Sequence, residues 1–203
     1  MVESLRIGAA SPQSSTDVSS DALVSVAPPE AAAPFDLAAV YAREFDWVWH
    51  TLRRLGVAPR NLPDLTHDVF VVVHRRAHTW DRTRPLRPWL FGIALRVSRD
   101  HLSLARNRLE SVVEAPEVAD PEPPQDQRLA ERQARELVVS ALQSLDLDRR
   151  AVFILHDIEE LPMSEIAVTL DVPAKTLYAR LKSARELFTA AVRRLRLQRG
   201  ERL

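Results

Sequence analysis

Met163-Ser-Glu-Ile-Ala-Val-Thr-Leu-Asp-Val-Pro-Ala-Lys-Thr-Leu-Tyr-Ala-Arg-Leu-Lys-Ser-Ala-Arg185 is written as a short helix, a tight turn and a longer basic helix, the pattern of a helix-turn-helix. Ser164 is placed to cap the first helix by accepting an orphan backbone N–H, and Ile166, Ala167 and Leu170 supply its apolar face. Asp171-Val172-Pro173 stops it, because proline lacks a donor and disfavours helix in the residue before it. A second helix is expected from Ala174. Its apolar residues, Leu177, Leu181, Ala184, Phe188, Ala191 and Leu195, recur at steps of three and four, so one stripe is buried while Lys175, Tyr178, Ala179 and Lys182 face outward. Side chains so placed can enter a DNA major groove. The bland alternative is a pair of bundle helices whose basic face is merely solvated.

Local charge favours DNA. Residues 173–203 carry nine Lys/Arg against two Asp/Glu, whereas residues 131–172 carry four against nine, so the formal net charge of zero hides a strongly basic end. Cations clustered on one face release the counterions condensed on phosphates, which is what duplex binding requires.

Working outward, the 203 residues contain 4 Gly and almost no alternating β-branched segments, which predicts a nearly all-helical fold. The absence of cysteine excludes disulfides, thiol catalysis and cysteine zinc sites, and suits a reducing cytoplasm. No stretch approaches a membrane span, and the start lacks a signal-peptide layout. Residues 1–34, rich in Ser, Ala and Pro, are expected to be disordered. Residues 111–128 form a second break, an acidic linker in which Pro121, Pro123 and Pro124 forbid a continuous helix. The expected organisation is therefore all-α, with a helical domain at 35–110, a flexible acidic Pro-rich linker, and a helix-turn-helix domain at 129–203.

In the first domain, Asp36 can cap a helix with the stripe Leu37, Val40, Tyr41, Phe45, Val48, Leu52 and Leu55, and Gly56 can end it in the left-handed region. The next helix is expected near Pro63. Its Val71-Val72-Val73 run favours strand locally, but Leu65, Val69 and Val73 share a helical face and no other strand is in prospect. Asp64 and Asp68, one turn apart near its positive end, suit the helix dipole and also form an acidic docking face. A Pro-interrupted basic loop then leads into a helix with Leu90, Ile93, Val97 and Leu104 inward. Arg82, Arg84, Arg87, Arg96, Arg99, Arg106 and Arg108 can follow a phosphate path while exposed aromatics hold an unstacked base, the combination that single-stranded DNA requires. For Trp80 and Trp89 a core role is an equal alternative.

Two domains in this order, one suited to single-stranded and one to duplex DNA, resemble the extracytoplasmic-function (ECF) group of bacterial sigma factors of the sigma-70 family, which retain the second and fourth conserved sigma domains. Asp64-Leu-Thr-His-Asp-Val-Phe-Val71 is similar to the family segment that docks on the clamp helices of the polymerase β′ subunit. Pro85-Leu-Arg-Pro-Trp-Leu-Phe-Gly-Ile-Ala94 is similar to the segment that opens the minus-ten element. Leu142-Gln-Ser-Leu-Asp-Leu-Asp-Arg-Arg-Ala-Val-Phe-Ile-Leu155, Glu165-Ile-Ala167 and the 175–185 helix are similar to the fourth domain, which reads the minus-thirty-five element.

The resemblance implies core-polymerase contacts at Asp64, Thr66, His67, Asp68, Phe70 and Val71. It implies minus-ten contacts at Arg82, Arg84, Arg87, Trp89, Arg96 and Arg99, and minus-thirty-five contacts at Lys175, Thr176, Tyr178, Ala179, Arg180, Lys182 and Arg185. Implied partners are bacterial core RNA polymerase, through its β′ clamp helices and β flap, promoter DNA in duplex and single-stranded form, and an anti-sigma factor. Neither a cofactor nor a metal is expected. Arg96 stands where many members have Asn, Asp171 where a turn glycine is common, a left-handed position that Asp tolerates better than most residues, and Asp146 where Pro is frequent, a position from which it can cap the next helix. His74 and His78 lie one turn apart, but the residues between lack the Glu of a zinc-protease helix, and no phosphate-binding loop or nucleophile triad is present. The alternatives are a duplex-DNA-binding regulator that uses residues 35–110 as a sensor or dimerisation domain, and a helical adaptor for acidic proteins.

Overall fold

Seven helices, with no strand among the described residues, make up the computed structural model, which describes residues 35–109 and 126–200, with side chains at 35–104 and 131–200. The expectations for residues 1–34 and for 110–125 lie outside them.

Helix α1, Leu37–Arg54, begins where the Asp36 carboxylate accepts the Ala39 N–H at 3.0 Å. It buries Val40, Val48 and Leu52. Gly56, at φ +99°, turns the chain out of it as expected. Helix α2, Leu62–Arg76, carries Pro63 in its first turn, where a missing N–H costs nothing. The valine run stays helical, because Val69 and Val73 are wholly buried and that packing outweighs local strand preference. Helix α3, Leu86–Leu109, buries Leu90, Phe91, Ile93 and Ala94 against α1 and α2. Leu104, expected inward, is exposed: the 24 residues of α3 outrun the 18 of α1 and the 15 of α2 that cover it.

The second set starts with α4, Asp126–Leu142, a little earlier than expected. Asp146 caps α5, Leu147–Phe153, by accepting the Arg149 N–H at 2.9 Å, and α5 runs on into one π-helical turn, Ile154–Ile158. Helix α6, Met163–Leu170, and α7, Ala174–Gln198, are the helix-turn-helix. Asp171 makes their turn at φ 53°, the left-handed conformation that Asp tolerates better than most residues. Ser164 does not cap α6. The chain enters that helix at Met163 with Pro162 as the flanking residue and no side-chain cap, leaving Ser164 already inside the first turn. The α7 stripe is buried at Leu177, Leu181, Ala184 and Ala191, and Phe188 packs on Phe153 with ring centroids 4.6 Å apart.

The two helix sets share one core, which joins Leu52 and Leu55 of the first to Leu142, Leu155 and Ile166 of the second. Buried with it is Arg150, a cation to which no carboxylate among the described residues is hydrogen-bonded. Its guanidinium donates to the carbonyls of Leu55 at 2.6 Å, Leu142 at 2.8 Å and Leu145 at 2.8 Å, and to that of Gln143 at 3.3 Å. These carbonyls lie at the C-terminal ends of α1 and α4, so two helix dipoles aim their negative poles at one positive charge. Burial still pulls the Arg150 pKa below its usual value, with Asp146 opposing that shift. A Cβ on Gly56 would collide with Arg150 Nη1, a second reason for glycine there.

Candidate nucleic-acid and polymerase interfaces

On α2 the residues Asp64, His67, Asp68 and Val71 fall at helical steps of three and four, with the first three exposed and Val71 half-buried. They form one acidic stripe edged by an apolar residue. Thr66 and Phe70, expected on the same face, are buried instead, because their positions turn them toward α1 and α3. Phe70 packs on Tyr41 and Phe45, with ring centroids 4.6 and 6.4 Å away, and so supports the stripe from beneath. Tyr41, half-exposed beside it, widens the apolar margin.

The loop before α3 and the first turns of α3 border a groove of about 730 Å³ lined by Arg76, Trp80, Arg84, Trp89 and Arg96 on one side. The two indoles lie 6.3 Å apart, and Trp80 meets Phe35 edge-on at 5.9 Å. Both are half-buried, so each packs on the core and also shows a face to the groove. The Trp80 indole N–H is buried without an acceptor among the described residues. Arg82 is exposed on the same loop. Arg76 was not among the expected contacts, since nothing in the α2 pattern shows that its last turn meets the loop.

Arg87 departs from expectation. It turns toward α1, where its Nε donates to Glu44 at 2.9 Å and its guanidinium sits 5.4 Å from the Trp47 ring centre, so it braces α1 on α3 and does not line the groove. Burial pushes the Glu44 carboxyl up, but hydrogen bonds from Arg43 and Arg87 outweigh it and hold the pKa below the usual value. A depressed carboxylate contributes stability above its unfolded pKa and loses it as pH falls through the folded one. Urea midpoints followed downward from about pH 4.3, the ordinary Glu value, should therefore fall less steeply in Glu44→Gln than in the parent chain. Equal slopes would remove Glu44 from the acid response.

On α7 the residues Lys175, Ala179 and Lys182 form an exposed stripe flanked by Thr176 and Tyr178. Arg180 and Arg185 are already engaged. Arg180 pairs with Asp148 at 3.2 Å, and Arg185 donates to both oxygens of Asp157 at 2.9 and 2.6 Å. The Arg185 contact is the main cause holding Asp157 below the usual carboxylate range, and Asp157 in turn raises Arg185. Arg99 is likewise tied, donating to Asp148 at 2.9 Å. Arg106 and Arg108 have no described side chains. No group of three or more His, Cys, Asp or Glu placed to hold a metal ion is present among the described residues, and no described helix is long and apolar enough to cross a membrane.

Comparison with known proteins matches residues 40–108 to Sigma-70 region 2 and residues 135–188 to Sigma-70, region 4. The chain is similar to the RNA polymerase sigma factor CnrH of Cupriavidus metallidurans, 31% identical over 146 residues that cover 68% of this chain and 76% of that one. It is also similar to the ECF RNA polymerase sigma-E factor of Escherichia coli K12, at 26% identity with 62% and 71% covered. Among solved structures it superposes on CnrH in complex with the cytosolic domain of CnrY, with TM-score 0.55, 25% identity, and 76% and 85% of the chains covered. It shares the fold of the sigma factor RpoE in complex with the anti-sigma factor NepR from Bartonella quintana, with TM-score 0.59, 18% identity, and 78% and 97% covered.

Proposed function

Because this chain belongs to the sigma-70 family, among the ECF sigma factors, and so directs promoter-specific transcription initiation, we propose that its three surfaces divide that work. The acidic stripe Asp64, His67, Asp68 and Val71 docks on the β′ clamp helices of core polymerase. The groove at Trp80, Trp89, Arg84 and Arg96, with Arg82 on its loop, takes the melted strand of the minus-ten element. Lys175, Thr176, Tyr178, Ala179 and Lys182 enter the major groove of the minus-thirty-five element, with the second helix set seated on the β flap. The observation that carries this reading is the matched order of region 2 and region 4 on helices that leave the α2 and α7 stripes exposed and gather arginines and two indoles along one groove. A stand-alone helix-turn-helix regulator has no use for region 2, which sets that alternative aside.

The protein performs no bond chemistry of its own; it supplies binding energy for strand opening at a site built from cations and aromatic faces. It acts in the cytoplasm, beside the polymerase, as two domains joined through the acidic linker. Negative charge in that linker suits a path through the polymerase otherwise taken by RNA. An anti-sigma factor is a further partner, supported by the two similar structures being complexes of that kind.

Co-elution with core polymerase on size exclusion tests the assignment: a one-to-one complex is expected, and separate elution at micromolar concentration overturns it. For the duplex surface, Lys182→Glu should weaken binding to promoter duplex and reduce the slope of log K against log salt by about one. An unchanged slope would remove Lys182 from the interface.

A further inference from the structure

The groove beside α3 has two walls of different chemistry. One carries the Trp80 and Trp89 indoles with the guanidiniums of Arg76, Arg84 and Arg96, and the other carries Ser164, Glu165 and Thr169 of α6. Aromatic faces and cations thus share one space with oxygen acceptors. Its volume, about 730 Å³, falls in the range of roughly 300–1,000 Å³ common to small-ligand sites.

The cations of the groove are not taken up by the protein's own acids. Elsewhere guanidiniums are held by carboxylates, Arg54 by Glu159, Arg87 by Glu44 and Arg185 by Asp157. In the groove, Arg84 meets Asp81 only at 3.6 Å, an exposed pair that contributes little in water. The Arg76 and Arg96 guanidiniums have neither an ion pair nor a hydrogen bond among the described residues. Guanidiniums that converge without a carboxylate suit phosphate oxygens, which they bind through paired N–H groups.

The acceptors on the α6 wall lack donors. The Thr169 carbonyl lies in the last turn of α6, and the residue four positions on is Pro173, which has no N–H to give it. The Val172 N–H goes to Ala167 instead, at 3.2 Å. The Thr169 oxygen faces α3, 3.7 Å from where a Cβ on Gly92 would stand, so glycine there leaves it uncovered. Glu165 is exposed and has no ion pair among the described residues. A DNA strand answers only the first wall: its bases and phosphodiesters suit indoles and arginines, but its sugars lack the 2′-hydroxyl and carry the 3′-oxygen as an ester. A free ribonucleotide offers both hydroxyls as donors.

We propose that this groove is a binding site for a free ribonucleoside polyphosphate. Its base lies on the Trp80 and Trp89 faces, its phosphates on Arg76, Arg84 and Arg96, and its ribose hydroxyls donate to Glu165 and to the Thr169 carbonyl. A nucleotide so held occupies the groups assigned above to the melted strand, so strand capture falls as nucleotide concentration rises. The inference rests on the sigma reading for that consequence alone, since the binding itself needs neither polymerase nor promoter.

Isothermal titration of the full chain with ATP tests the site. One-to-one binding at about 100 μM or tighter is expected. The dideoxy analogue of ATP, which lacks both ribose hydroxyls, should bind at least about fivefold more weakly, because the α6 acceptors are then left without donors. Arg96→Gln changes an exposed side chain that has no partner to lose, so its helical signal should match that of the parent while ATP binding weakens at least about fivefold. Glu165→Ala should bring ATP and the dideoxy analogue within about twofold of each other, a loss of discrimination that a general folding defect would not produce. Arg193→Gln, which removes an exposed α7 cation outside the groove, should leave ATP binding unchanged. No binding below about 1 mM, equal affinity for ATP and the dideoxy analogue, unchanged affinity in Arg96→Gln, or inorganic tripolyphosphate binding as tightly as ATP would each overturn the proposal. If ATP binds as expected but the chain supports no initiation by its cognate polymerase, the nucleotide site stands and the sigma reading fails.

Discussion

Replacing Asp64 and Asp68 together by arginine should abolish binding to core polymerase while leaving the fold intact. Both carboxylates are exposed, one turn apart on α2, with no tertiary hydrogen bond or ion pair among the described residues that the change would break. Their cost to stability is confined to the helix dipole, which disfavours cations near the start of a helix by about 0.3–1 kcal/mol each. Their cost to docking is larger. Two reversed charges set against a basic partner surface replace attraction by repulsion, and losing one partner of a well-made interfacial charge pair already costs about 2–5 kcal/mol, at least a thirtyfold change in affinity. Melting temperature and affinity should therefore separate. A titration of core polymerase with the double variant should show at least a hundredfold weaker binding, on the order of 3 kcal/mol, with a helical signal and urea midpoint close to those of the parent. Retained binding would move the docking surface elsewhere on the first helix set.

The second large effect is on stability. Arg150→Met removes a guanidinium from four carbonyls, three of them held at 2.6–2.8 Å in buried bonds. Each carbonyl left without a donor costs about 1–3 kcal/mol, so a loss of about 3 kcal/mol or more is expected in urea unfolding. Arg150→Lys should recover little, because one ammonium cannot span the forked arrangement that joins the ends of α1 and α4. Because Arg150 bonds across the two helix sets, the loss should be accompanied by reduced amide protection at the end of α1 as well as around α5. A change below about 1 kcal/mol would mean that water reaches these carbonyls in solution.

Much of the fold can be read from single residues. Asp36 and Asp146 cap their helices through the expected geometry, Gly56 and Asp171 take the left-handed conformations expected of them, and the α7 stripe faces inward as its spacing predicts. These features depend on neighbours within a few positions, which is what a linear pattern records. Ser164 failed as a cap because its role depended on where α6 starts, and a shift of one or two residues turns a cap into a first-turn residue. Leu104 failed because a stripe does not say how far its partner helices extend.

The interfaces were legible in outline, since exposed acids on α2 and exposed Lys175, Tyr178 and Lys182 on α7 follow from helical period alone. What escaped was which arginines are occupied. Arg87 is held by Glu44, 43 positions away, Arg99 by Asp148 at 49, and Arg185 by Asp157 at 28, and no periodicity encodes such pairs. Arg150 was the least legible residue of all. A buried cation among helix ends has the same sequence context as the half-buried Arg149 beside it.

The central claim, that the chain lends promoter specificity to RNA polymerase, is tested most directly by transcription with purified cognate core polymerase on a promoter library, with and without this protein. Initiation that depends on the protein, at promoters sharing two upstream elements centred near minus ten and minus thirty-five, is the predicted result. A folded protein that binds duplex DNA yet supports no specific initiation by that polymerase would contradict it.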